Sequence, residues 1–139
     1  MSEQAAKLAG PCPGCGSAGT GWAVQLTRDG RLRWEVEWAC DACGIAHDGG
    51  WGAAPAEVRG QILAQHGPCC VRLTGEENRG AAVMKALRRA FDLSVPQSQE
   101  AARRLKQSGH QGTYVEVRFL AELMRAEGIR YEVLPGACE

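Results

Sequence analysis

Along the first fifty or so residues the apolar positions alternate with polar ones, whereas beyond about residue 70 they recur every three or four. The first period is that of a strand and the second that of a helix. Trp22, Val24 and Leu26 share one parity, as do Leu32, Trp34, Val36 and Trp38, and between the two runs lies Asp29-Gly30, a two-residue turn signal. A β-hairpin is expected there, with these apolar residues on one face and Gln25, Thr27, Arg31, Arg33, Glu35 and Glu37 on the other. The stretch DGGWGAAP, 48–55, is rich in glycine and proline and reads as a linker. Residues 55–68 predict one short helix: Pro55 suits a first turn, Val58, Ile62 and Leu63 fall on one side, and Gly67-Pro68 ends the pattern.

The second half opens with a strand, CCVRL, followed by a helix over ENRGAAVMKALRRAFD whose stripe is Val83, Leu87 and Ala90 or Phe91. Ser94 with Gln97, and Thr113 with Glu116, have the spacing of two capping boxes. The first box starts a helix running to about Lys106, and the second a helix carrying Val117, Leu120 and Met124 as far as Gly128. A short extended piece near GHQG and a strand over RYEVL complete the order strand, helix, helix, strand, helix, strand. The fold class expected is α+β, with a hairpin unit over 1–50, a linker and short helix over 51–68, and a small β-α-α-β-α-β domain over 69–139.

Two short segments carry the chemistry. PCPGCG, 11–16, and ACDACG, 39–44, each hold a pair of cysteines with the same gap and a glycine behind the second. Such a pair sets two thiolates across a tight turn, and a hairpin between the pairs brings both turns to one point. Cys12, Cys15, Cys40 and Cys43 are therefore expected to bind a structural Zn2+, with an iron centre of the rubredoxin kind as the alternative occupant. With four protein sulfurs no position is left open for water or substrate, so the ion is read as folding the hairpin rather than catalysing. Four unrelated thiols or a disulfide pair is the competing reading, and His47, just past the last knuckle, is a candidate substitute ligand. Cys69 and Cys70 open a strand and point to opposite faces, so one of them is expected to be buried. With Cys138 they are read as structural thiols.

The 139 residues allow one compact domain or two small ones, and acidic and basic residues balance at 16 each, so no overall field draws the chain to nucleic acid or anionic lipid. No apolar run approaches the roughly 20 residues of a membrane span, and MSEQAAKLAG lacks the apolar core of a signal peptide. A cytoplasmic protein without membrane attachment is expected, its thiols kept reduced. No paired carboxylates, phosphate-cradling glycines or nucleophile-base arrangement point to an enzyme.

The cysteine pattern over roughly 10–45 resembles the zinc-ribbon family. Ribbons bind nucleic acid, proteins or nothing beyond their own chain. Trp22, Trp34 and Trp38 offer rings on which bases can stack, but the alternation Arg31, Arg33, Glu35, Glu37 favours packing against the second domain. In the second half, Ala82, Val83, Met84, Lys85, Ala86, Leu87 and Arg88 resemble the first helix of the C-terminal domain of the bacterial ribosomal stalk protein, and the resemblance extends over about 70–134. In that family the helix recruits translation GTPases. The resemblance therefore implies a non-enzymatic adaptor or regulatory protein with a partner-binding surface at Val83, Lys85 and Arg88; the residues themselves add a basic side of two helices, Arg88, Arg89, Arg103, Arg104 and Lys106, diluted by Asp92 and Glu100 and so suited to a protein partner. The adaptor that delivers N-degron substrates to Clp protease has a similar fold. Its ligand pocket implies counterparts at Glu76, Glu77, His110 and Gly112, and a protease component as an alternative partner. Nucleic-acid binding through the ribbon and the basic helices is the rival function.

Overall fold

A computed structural model describes residues 2–75 and 80–139, and the acidic pair Glu76-Glu77 lies outside the described residues. The chain is α+β and divides into two compact units, Glu3–His66 and Gly67–Glu139.

The first unit contains more sheet than a hairpin. Strands β1 (Glu3–Pro11), β2 (Ala18–Arg28), β3 (Arg31–Cys40) and β4 (Gly44–Trp51) form one antiparallel meander in that order. The turn between β2 and β3 is the Asp29-Gly30 pair, and both residues have positive φ, 54° and 71°, as a type I′ turn requires. The two cysteine knuckles form the other two connections, β1 to β2 and β3 to β4. In a meander those connections lie at the end of the sheet opposite the central turn.

Register corrects the expected face assignment. A two-residue turn pairs Arg28 with Arg31, so cross-strand partners in β2 and β3 have opposite parity: Gln25 with Trp34, Ala23 with Val36, Leu26 with Arg33. Side chains directly opposite share a face. Trp22, Val24 and Leu26 therefore stand on the face of Arg33, Glu35 and Glu37, while Gln25 and Thr27 stand beside Trp34 and Leu32 and are buried. On the outer face Trp22 is exposed, and Trp51 lies under the guanidinium groups of Arg31 and Arg33 at 4.6 and 4.8 Å, a cation–π arrangement.

Helix α1 (Ala56–His66) covers the inner face, so the segment expected to link the halves belongs to the first unit. Val58 and Ile62 pack on Ala6 and Ala23, with Leu8, Trp34, Val36 and Ala54 around them. Trp34 thus packs on its own sheet and helix. The last turn of α1 also closes the free edge of β1: Gln65 accepts from Lys7 N at 2.9 Å and donates to Lys7 O at 2.8 Å, and His66 Nε2 donates to Ala5 O at 2.7 Å. Side chains here occupy backbone groups that would otherwise template another strand.

In the second unit, β5 (Cys69–Leu73) lies between β6 (His110–Gly112) and β7 (Tyr131–Pro135), antiparallel to both. Helices α2 (Gly80–Phe91), α3 (Val95–Gln107) and α4 (Tyr114–Ala126) supply Val83, Leu87, Leu105, Val117, Leu120 and Met124 to its core. Both capping boxes form, Ser94 with Gln97 and Thr113 with Glu116, each side chain bonded to the other residue's backbone N–H. Cys70 is buried and Cys69 is half-buried, as their alternation requires. Cys70 and Cys138, however, are joined in a disulfide with Cα atoms 5.1 Å apart, which corrects the reading of both as thiols. No helix among the described residues is long and apolar enough to cross a membrane.

Candidate metal centre

The knuckles place the sulfurs of Cys12, Cys15, Cys40 and Cys43 within 4.8 Å of one another. Local backbone chemistry explains how. The first knuckle closes on itself, Cys12 N donating to Ser17 O at 2.7 Å and Gly16 N to Cys12 O at 2.8 Å. The glycine behind each pair, Gly16 and Gly44, has φ of 76° and 80°, a conformation that costs other residues about 1 kcal/mol or more. In the second knuckle Cys43 N donates to Cys40 Sγ at 3.2 Å, turning a backbone dipole toward the sulfur. Cys15 and Cys40 Sγ stand 3.6 Å apart. Four sulfurs about 2.3 Å from one ion are about 3.8 Å from each other in a tetrahedron, so the observed spacing fits a four-sulfur site.

Electrostatics favour the same reading. Backbone N–H groups of Gly14 and Cys15, then the indole of Trp38, hold the Cys12 thiol down at about 6. Ser17 hydroxyl and backbone lower that of Cys15. Cys43 is pushed up to about 12, because its proton is shared with the sulfurs of Cys15, Cys40 and Cys12. Sulfurs this close cannot all be charged without a cation among them. Metal and protons therefore compete for one cluster. Uptake of Zn2+ near pH 7 should release protons, that of Cys43 among them, and affinity should rise with pH. Calorimetry in buffers of different ionisation enthalpy measures this; heats independent of the buffer contradict it.

His47 stands on the exposed β4 opposite Glu37 and does not belong to the cluster. The residues expected to form a partner surface are only partly where such a surface needs them. Val83 is 2 % exposed and belongs to the core, which removes it from any surface, because the stripe that packs α2 runs through it. Lys85, Arg88 and Arg89 are exposed and line a depression of about 530 Å³ with Ala81, Met84, Asp92 and Leu93. Lys85 is paired with Glu127 at 2.8 Å, and Arg88 Nε donates to Leu93 O at 3.4 Å. Arg103 and Arg104 both pair with Glu100, and Lys106 is exposed. His110 stacks on Phe91 with centroids 5.0 Å apart, and Gly112 is buried.

Two features escaped the sequence reading: the disulfide, and the part Trp38 plays beside Cys12. Trp38 carried a signal, since it shares parity with Cys40 two residues on. The disulfide carried none, because its partners are 68 positions apart.

No protein-family model, curated protein or solved structure matches this chain.

Proposed function

We propose that the chain is a non-enzymatic adaptor whose first unit is organised by a structural zinc ion and whose second unit docks a protein partner. The observation that carries the metal half is the convergence of four thiols from two hairpin turns, with a donor set that suits zinc and leaves no open coordination position. The partner half rests on the resemblance of 81–94 to the stalk family and on the exposure of Lys85, Arg88 and Arg89 around Met84. Cations around an apolar depression suit an acidic partner with an apolar anchor. A translation GTPase and a protease component are the partners the resemblances name.

Capture from native lysate with the wild type and with Lys85→Glu/Arg88→Glu tests it. Both residues are on the surface, so the variant is expected to fold and to lose the specific partners by about tenfold or more. Equal recovery by the two baits contradicts the assignment of this surface. The rival reading, nucleic-acid binding, is favoured by Trp51 under Arg31 and Arg33 and by the exposed Trp22 on the same face. Glu35 and Glu37 stand among them, which weighs against a phosphate track. Retardation of single-stranded oligonucleotides at low salt, falling steeply as salt rises, would support that rival.

A further inference from the structure

Trp38 lies two residues before Cys40 on β3, so both side chains leave the same face of the sheet. Its indole lies against Gly19, where a Cβ would come within 2.5 Å of Cζ2; only a residue without a side chain admits the ring there. Gly19 is the cross-strand partner of Cys40, so this seat holds the ring beside the knuckles. Trp38 also lines a groove of about 820 Å³ with Cys12, Cys43, Val36 and Leu8.

The polar end of this ring is out of place for a packing residue. Nε1 of Trp38 is buried and has no hydrogen-bond partner, a deficit that costs about 1–3 kcal/mol. The groove that the ring lines is lined by Cys12 and Cys43 as well, and the indole is among the groups that hold the Cys12 thiol down. A neutral thiol is a weak acceptor and a thiolate a strong one. A cysteine sulfur of the same groove, bound to an ion as thiolate, would supply the acceptor that this buried donor lacks.

We propose that Trp38 is a positioning residue for the metal, its indole N–H donating to Cys12 Sγ when the four sulfurs close on the ion. This rests on the zinc reading above. The bond draws charge from the sulfur, fixes its direction and removes the orphaned donor, so metal loading and packing of β3 become one event. Groups that orient ligands in this way typically account for 10–100-fold of metal affinity.

The full chain is titrated with Zn2+ against a chromophoric chelator, as wild type, Trp38→Phe and the exposed-site control Trp51→Phe. The sulfur-to-metal band of the Co2+ form and the indole N–H resonance of Trp38 are followed alongside. Trp38→Phe is expected to bind at least about tenfold more weakly and to shift the Co2+ band, with Trp51→Phe unchanged. The wild-type Trp38 indole proton is expected to move downfield on metal addition. A Trp38→Phe affinity within about twofold of wild type, or an unmoved indole resonance in the wild type, overturns the proposal. Should Trp38→Phe fail to fold, the wild-type resonance decides alone: movement supports the bond and constancy overturns it. Wild type that takes up no metal overturns the zinc reading itself, whereas wild type that binds with an unmoved indole overturns only the role of Trp38.

Discussion

Removing the metal, by a strong chelator or by Cys40→Ser, is expected to unfold residues 3–66. The reason lies in how little else holds that unit. The buried cluster beneath α1 is Ala6, Ala23, Val58 and Ile62, two of them a single methyl group, and outside the cysteines Leu26 and Leu32 are the other apolar side chains buried among the unit's described residues. At about 0.8 kcal/mol per buried methylene, this core cannot offset the cost of ordering some sixty residues at about 1–2 kcal/mol each without help from the ladder and the ion. Structural zinc contributes on the order of 10 kcal/mol to such folds, about the whole net stability of a small domain. Cys40 is also the last residue of β3 and pairs with both Gly19 and Gly44, so losing its sulfur frees both knuckles at once. Two-dimensional amide spectra should show the dispersed signals of β1–β4 collapse while those of the second unit persist. Retention of the dispersed pattern of 3–66 in excess chelator would mean that the sheet folds without the ion.

The second large effect is expected from the disulfide. Cys70–Cys138 closes a loop with a separation of 68 residues, nearly the whole second unit, and a loop of that length stabilises by about 4 kcal/mol through the unfolded chain. Cys138→Ala leaves Cys70 as a buried thiol, which a core tolerates well, so the loss measured is mainly that of the link. With about 4–8 °C of Tm per kcal/mol for a domain of this size, the second unit should melt some 15 °C or more lower. The half-buried neighbour Cys69 should not replace the lost partner: it points to the other side of β5, and burial pushes its thiol up, leaving little thiolate to attack. Calorimetric melting of wild type and variant reads the difference directly. Superimposable second transitions would contradict it.

The parts of this molecule that local chemistry decides were legible in its sequence. Duplicated CxxCG spacing announced the knuckles, Asp29-Gly30 the central turn, and the Ser94/Gln97 and Thr113/Glu116 pairs the starts of α3 and α4. What failed were decisions made between distant residues. EQAAKLAGP consists largely of residues without strand preference, and it is a strand because the first knuckle folds it back along β2. GIAHDGGW is rich in glycine for a steric reason: a Cβ at Gly50 would lie 2.8 Å from Trp34 Nε1. The face assignment failed although its correction was present, since a two-residue turn always pairs positions of opposite parity. Read that way, Ala23 and Gln25 belong with Val36 and Trp34 from the start. Val83 went astray for a related reason: a resemblance along one helix does not say which side that helix buries, and the spacing Val83, Leu87, Ala90 does.

X-ray absorption at the zinc edge of the purified full chain tests the central claim most directly. One ion per chain with four sulfur neighbours at about 2.3 Å is the result this structure predicts. Chain free of metal, or an ion with nitrogen or oxygen among its nearest neighbours, would contradict it.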